Sequence, residues 1–314
     1  MASKIPSINF CNAKLKTGSA EWESTRSQVL QALQEYGCFE AIYDKVSSET
    51  REAMFANSKE IFEFPLETKL KNLSDKPLHG YKGMIPNLPS YESLCIPDLL
   101  ESQSVETFAN IFWPNGKSDF CNAVRNYSKP LMELDEMVTM MVLESIGMKN
   151  YIDEFLNSSF FRFRFTRYKK LAAQSEKENN KLGLVGHTDG GWLTIISQNG
   201  VNGLQVKKKE EWIDVNIAPN SFVVLSGDSF VAWTNGRLHS PVHRVTMGGD
   251  SDRFSIQLFS VPKSDYIIEA PKELVDEQHP LLFKPYDITG YFEYIGTKAG
   301  ARAGGDAFKI YCGV

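Results

Sequence analysis

The stretch Phe160-Phe161-Arg162-Phe163-Arg164-Phe165-Thr166-Arg167-Tyr168 decides the fold class. Phe161, Phe163 and Phe165 alternate with Arg162, Arg164 and Thr166, and a period of two is the signature of a β-strand. Short β-rich runs follow it: Trp192 to Ser197, Gly203 to Val206, Trp212 to Val215, Phe222 to Leu225, Phe230 to Thr234, Pro241 to Met247 and Arg253 to Val261. Turn residues punctuate them at Asp189-Gly190-Gly191, Asn199-Gly200, Asn220, Asn235-Gly236 and Gly248-Gly249-Asp250. Lys207–Lys209, followed at once by Glu210 and Glu211, reads as a charged hairpin tip. Many short strands at regular spacing predict an antiparallel sandwich or jelly roll.

Upstream the period changes to that of a helix. After an extended start from Ile5 to Phe10, Trp22, Val29, Leu33 and Tyr36 recur at helical spacing and Gly37 supplies a stop. A second helix begins near Ser47 or Ser48, buries Met54, Phe55, Ile61 and Phe62, and ends before Pro65. A third starts near Ser118 and carries an apolar stripe from Phe120 through Val142, closed by Gly147. Gly80 to Pro97 is rich in Pro and Gly and reads as a loop, whose Tyr81, Met84 and Tyr91 could line a binding mouth. The tail from Lys272 is expected to pack back as helix. No low-complexity linker or internal repeat divides the chain. One domain over 1–314 is therefore expected: mainly helical 1–157, a β core over 158–265 and a carboxy-terminal extension over 266–314. The fold class is α+β and mostly β, with terminal helices buttressing the sheets.

A formal charge of -5 on 314 residues gives no electrostatic footprint for nucleic acid or anionic membrane, so neither is expected as a partner. The start lacks an apolar signal core, and no apolar run is long enough to span a bilayer. Cys11, Cys38, Cys95, Cys121 and Cys312 are odd in number and scattered, which argues for a reducing compartment over a disulfide framework. A cytoplasmic monomer acting on a small molecule is the expectation.

The chemistry concentrates in the β half. His187-Thr188-Asp189 is an HxD at the edge of a strand, where residues two apart point the same way and can reach one metal ion. Alone it is a common coincidence. His243, in the strand-like Pro241-Val242-His243-Arg244-Val245, can supply a third ligand. Two imidazoles and one carboxylate form the ligand set of non-haem Fe(II) oxygenases, and zinc hydrolysis uses the same donors. Arg253 separates these readings. Arg253, Ser255, Gln257 and Phe259 share one strand face, and an arginine pointing into a barrel needs an anion. An oxo-diacid could chelate the metal at one end and pair with Arg253 and Ser255 at the other. An internal carboxylate is the competing partner.

The sequence resembles the plant-type 2-oxoglutarate-dependent dioxygenases nearly end to end. The resemblance rests on Ile5-Pro6-Ser7-Ile8-Asn9-Phe10, Glu35-Tyr36-Gly37-Cys38-Phe39, Phe64-Pro65-Leu66-Glu67-Thr68-Lys69, His187-Thr188-Asp189, Asn235-Gly236-Arg237, His243-Arg244-Val245, Arg253-Phe254-Ser255 and His279-Pro280-Leu281. Gly80-Tyr81, Tyr91-Glu92-Ser93 and the Tyr311-Cys312-Gly313-Val314 end look most like the AOP-like clade, named for enzymes acting on glucosinolate side chains. The resemblance implies a double-stranded β-helix core, Fe(II) on His187, Asp189 and His243, and 2-oxoglutarate on Arg253 and Ser255, with O2 as oxidant and ascorbate in support. The family's Asn-x-Tyr contact to 2-oxoglutarate reads Thr166-Arg167-Tyr168 here, so only Tyr168 carries over. Phe259 holds a position that often lines the family's substrate pocket, and Trp192 is a second candidate. The implied activity is hydroxylation or oxidative demethylation of a small, largely hydrophobic plant metabolite, giving succinate and CO2. With Asp189 in the ligand set, no site is left for a halide. A 2-oxoglutarate-independent oxidase and a catalytically silent binding protein are the alternatives.

Overall fold

The computed structural model describes residues 4–74, 78–170, 182–248 and 250–314; Gly249, in the expected Gly248–Asp250 turn, lies outside them. The first half runs β1 (Ser7–Asn9), α1 (Ala20–Glu35), β2 (Cys38–Ile42), α2 (Ser48–Glu63), α3 (Leu66–Lys69), β3 (Tyr91–Ile96), α4 (Ser104–Phe112), α5 (Ser118–Ser145) and α6 (Ile152–Asn157). The second half runs β4 (Ser159–Tyr168), β5 (Leu182–His187), β6 (Leu193–Gln198), β7 (Leu204–Lys208), β8 (Glu211–Asp214), β9 (Ser221–Ser226), α7 (Asp228–Trp233), β10 (His243–Thr246) and β11 (Arg253–Pro262). The tail adds β12 (Ile267–Ile268), β13 (Tyr286–Asp287), α8 (Ile288–Gly296), α9 (Lys298–Ala303) and α10 (Ala307–Cys312).

Local chemistry sets the helix ends. Ser19 and Ser47 cap α1 and α2 by accepting from the N–H groups of Trp22 (3.1 Å) and Thr50 (3.2 Å). Gly37 ends the α1 turn at φ +68, where a Cβ would lie 2.2 Å from the His239 carbonyl oxygen. No side chain other than hydrogen fits there, which ties the helix end to the loop before β10.

Two sheets face each other as a jelly roll. The larger has the order β1-β2-β9-β6-β11-β4-β3 and the smaller β5-β10-β7-β8. The Phe/Arg alternation of β4 is realised: Phe163 and Phe165 pack outward against Tyr127 and Phe120 of α5 and Phe108 of α4. Phe254, Ile256 and Leu258 of β11 join that same outer core. Between the sheets a second apolar cluster includes Ile196, Leu204, Val206, Val223, Leu225, Val245 and Met247. The remaining interior is a cavity. The charged tip is also realised, as the β7–β8 hairpin with Lys209 at φ 54.

Two expectations are corrected, and one helix was not expected. Phe230 to Thr234 belongs to helix α7 and not to a strand, because Phe230 and Trp233, three apart, both pack on Phe155 (5.0 and 5.2 Å between ring centroids). Five residues are too few for periodicity to separate the two states. Gly80 to Pro97 is not all loop: it contains β3, the edge strand paired with β4 from Tyr91↔Tyr168 to Ile96↔Phe163. Its polar Glu92 and Ser93 are buried in hydrogen bonds and masked the strand. Finally, α4 had no counterpart in the sequence reading.

Candidate metal and cosubstrate site

His187 ends β5 and stands directly opposite His243, the first residue of β10. Their rings lie 4.2 Å apart. Asp189 lies beyond the strand, in the turn before β6, so a shared strand face is not what aligns it with His187. Its carboxylate is held by the Thr194 hydroxyl (2.6 Å), and its carbonyl accepts from the Asp228 N–H (2.7 Å). That close approach needs Gly227, where a Cβ would lie 2.2 Å from the Gly191 oxygen.

One ligand atom from each of His187, Asp189 and His243 lies within 4.8 Å of the others. The two Nε2 atoms are 3.7 and 3.8 Å from the Asp189 oxygens, too long for a hydrogen bond. Two metal bonds of about 2.0–2.2 Å span a gap of that order. Each Nδ1 faces a carbonyl, Val185 for His187 (2.9 Å) and Pro241 for His243 (3.3 Å). Those donations leave the Nε2 lone pairs free to ligate. Burial, and then the neighbouring His187, hold the His243 pKa below its ordinary value, which keeps it in the neutral, ligating form. The donor set fits a metal ion.

Arg253, 1% exposed, opens β11. Its Nε and Nη2 donate to the Gln198 side-chain oxygen (3.3 and 3.0 Å), and its Nη1 is buried with no hydrogen-bond partner. Gln198 is neutral, so it orients the guanidinium without cancelling its charge. The Tyr168 ring lies 5.2 Å from the Arg253 guanidinium carbon. Ser255 accepts from Gln257 (2.7 Å), which leaves its own hydroxyl hydrogen free to donate to a ligand. An orphaned guanidinium N–H beside a free hydroxyl fits the distal carboxylate of an oxo-diacid.

His187, Asp189, His243, Arg253, Ser255 and Tyr168 line one cavity of about 440 Å³. Residues 158–262 match the 2OG-Fe(II) oxygenase superfamily, and residues 5–106 match the amino-terminal family described for a non-haem dioxygenase in morphine synthesis. The chain is 43% identical over 303 residues to the "Probable 2-oxoglutarate-dependent dioxygenase AOP1.2" of Arabidopsis thaliana, covering 96% of this chain and 93% of that protein. The chain belongs to the 2-oxoglutarate/Fe(II) oxygenase superfamily. It is a 2-oxoglutarate-dependent dioxygenase, and solved oxygenases share its architecture. A rice dioxygenase for auxin oxidation superposes with a TM-score of 0.81 at 26% identity, over 98% of this chain and 100% of that one. JOX2, solved with 2OG, Fe and JA, gives 0.80 at 25% identity, over 99% and 90%.

The oxygenase brings most of the expected residues together. His187, Asp189, His243, Arg253, Ser255, Tyr168, Phe259 and Tyr91 all line the cavity. Trp192 does not, and its assignment to the pocket is corrected. Regular alternation starts only at Leu193, and the Trp192 ring turns into the outer core, 4.4 Å from Phe155. Tyr81 is also outside the cavity, because its hydroxyl donates to Glu92 (2.9 Å) within a buried ionic network. Met84 is 71% exposed and is not among the cavity's lining residues. Lys82 and Ile85 of that segment, with Leu78 just before it, line the cavity instead. The sequence reading also missed Phe292 and Ile295 of α8, together with Arg162 and Arg164, while Gln257 lines the cavity on the face shared with Arg253 and Ser255. The alternation of β4 was the available signal for the two arginines: if its phenylalanines face out, its arginines face in. Among the described residues, no helix is long and apolar enough to cross a membrane.

Proposed function

We propose that His187, Asp189 and His243 hold Fe(II), that Arg253, Ser255 and Tyr168 hold the distal carboxylate of 2-oxoglutarate, and that the enzyme hydroxylates or oxidatively demethylates a small plant metabolite with substantial apolar surface. The observation carrying this reading is the convergence, in one cavity, of three metal-spaced ligands and a buried guanidinium whose Nη1 is orphaned. Bound together, the metal and cosubstrate supply the oxidation, 2-oxoglutarate and O2 leaving as succinate and CO2 with one oxygen atom passed to the organic substrate. The chain supplies placement. Val185 and Pro241 fix the imidazole tautomers, Thr194 steadies Asp189, and Gln198 aims Arg253. Phe259, Val261, Phe292 and Ile295 form an apolar wall that excludes water and shapes the substrate pocket. We further propose one catalytic domain acting as a cytoplasmic monomer, with ascorbate supporting turnover; the five unbridged cysteines accord with that compartment.

The test is to incubate enzyme, Fe(II), ascorbate and 2-oxoglutarate with a plant metabolite extract and to look by mass spectrometry for species gaining oxygen or losing a methyl group. Turnover without any 2-oxoglutarate would favour the oxidase alternative instead. Two variants sharpen the reading. His239 is exposed in the loop before β10, its N–H donating to the Leu33 carbonyl (3.0 Å). His239→Ala should keep bound iron and His243→Ala should lose it, as metal analysis will read; the reverse pattern would overturn the ligand assignment. Phe259→Ala, on the pocket wall, should raise the KM of the organic substrate about tenfold or shift the oxidised position, since losing the contact of a half-buried ring with an apolar ligand costs about 1–2 kcal/mol. Its 2-oxoglutarate affinity should barely move. Equal losses for both ligands would make Phe259 a support of the barrel only.

A further inference from the structure

The strand that decides the fold carries two buried arginines that the metal and cosubstrate leave unused. Arg162 is 3% exposed, and both it and Arg164 line the cavity. The Nη2 of Arg162 lies 3.3 and 3.5 Å from the His79 ring nitrogens, its guanidinium faces the Phe292 ring at 5.5 Å, and its Nε is buried with no hydrogen-bond partner. Arg164 donates to the Ser93 hydroxyl (2.7 Å) and the Leu78 carbonyl, and the Tyr91 hydroxyl is a third hydrogen-bond partner. Among the described residues no carboxylate pairs with either. Arg167, on the opposite face of the same strand, shows what compensation looks like here. It forms ion pairs with Glu92 (2.6 Å) and Glu63 (2.9 Å), and Lys69 shares Glu92 (2.9 Å). The fold pairs the outer-face cation Arg167 with carboxylates and, among the described residues, gives Arg162 and Arg164 of the cavity only neutral hydrogen-bond partners.

The cosubstrate does not supply the missing anion. Iron(II), Asp189, doubly charged 2-oxoglutarate and Arg253 together are neutral, so Arg162 and Arg164 remain in excess. Nor can the carboxylate paired with Arg253 also meet Arg162. Arg162 pairs in register with Phe259, six residues along β11 from Arg253 and therefore about 20 Å away at about 3.3 Å per residue. Phe259 in turn pairs with Thr194, the residue holding Asp189. Arg162 thus lies at the metal end of the cavity, about 10 Å from Thr194 across two strand spacings.

We propose that Arg162, assisted by Arg164, binds an anionic oxyacid group of the organic substrate, foremost a carboxylate. The inference rests on the functional reading above and narrows its substrate to a hydrophobic acid. The apolar body lies along Phe259, Phe292 and Ile295, and the oxidised carbon is several bonds from the acid group. An uncompensated buried guanidinium is costly in the free enzyme, and the substrate's charge relieves that cost on binding.

The experiment measures binding to the metal-loaded enzyme, with the 2-oxoglutarate site filled, of a panel of arylalkyl, alicyclic and long-chain monocarboxylates, the matching sulfonates and the matching methyl esters. Acids should bind and esters should not, and sulfonates in place of carboxylates as the tight binders would identify the oxyacid as sulfur-based. Arg162→Gln should weaken acid binding about 30-fold or more, and Arg162→Lys should restore part of it. Because Arg162→Gln removes a buried unpaired charge, the ligand-free variant should melt no lower than wild type. A merely structural arginine would instead lower the Tm and leave the preference for acids intact, which would overturn the proposal. So would a wild type that prefers no acid over its ester, including one that binds no acid at all. The same variants are titrated with 2-oxoglutarate to keep the two readings apart. Loss of 2-oxoglutarate binding in Arg162→Gln would assign the arginine to the cosubstrate and overturn the proposal. Arg162-dependent acid binding by a wild type that takes up no 2-oxoglutarate would uphold the anion site while the cosubstrate reading fails.

Discussion

Asp189→Ala should lose bound iron and bring 2-oxoglutarate turnover down to the no-enzyme background. Among the described residues that line the cavity, Asp189 is the single carboxylate, and the cations are Lys82, Arg162, Arg164 and Arg253. Without it two neutral imidazoles face a positively charged interior and have no anion to offset a divalent ion. The groups that merely orient metal ligands cost about 10–100-fold when removed, so loss of a ligand should exceed about 100-fold. The fold should survive, because Asp189 lies in a turn and its backbone carbonyl still accepts from the Asp228 N–H. Succinate formation, iron content and circular dichroism check the three parts separately. Substantial turnover with iron retained would remove the triad from the account.

Arg253→Ala should weaken 2-oxoglutarate binding by about one to three decades, since breaking a buried charge pair costs about 2–5 kcal/mol. Its two Gln198 contacts hold the side chain in place and leave its charge and its Nη1 for the ligand. Iron binding should be unaffected, and saturating 2-oxoglutarate should recover much of the rate, so the loss falls on KM more than on kcat. If only the organic substrate's affinity changed, Arg253 would belong to the other pocket and the cosubstrate anchor would have to be sought at Arg162.

The core strands and the ligand triad were legible in the sequence because each is written in a local pattern. Alternation marks β4 and β11, and an HxD with a downstream histidine marks the candidate metal site. What was not legible depends on contacts distant in sequence. Phe230 and Trp233 are helical because Phe155, some eighty residues earlier, provides the surface they share. β3 reads as loop because Glu92 is satisfied by Lys69 and Arg167, neither of which is its neighbour in the chain. Trp192 left the pocket because the turn that positions Asp189 delays the start of β6 by one residue. Phe292 and Ile295 reach the pocket only because the tail folds back over its mouth. Arg162 and Arg164 are the instructive case. Their alternation was visible, but which face of β4 meets the cavity is set by α4 and α5 covering the other face, and only then does the lack of a carboxylate partner among the described residues acquire meaning.

The most direct test of the whole account is O2 uptake by the iron-loaded wild type as 2-oxoglutarate is titrated in, with succinate measured in the same samples. Uptake should be absent without 2-oxoglutarate, should saturate with it, and should match the succinate formed one for one; Arg253→Ala should need higher 2-oxoglutarate to reach the same plateau. O2 uptake that proceeds without 2-oxoglutarate, or that is iron-dependent yet yields no succinate, would contradict the account.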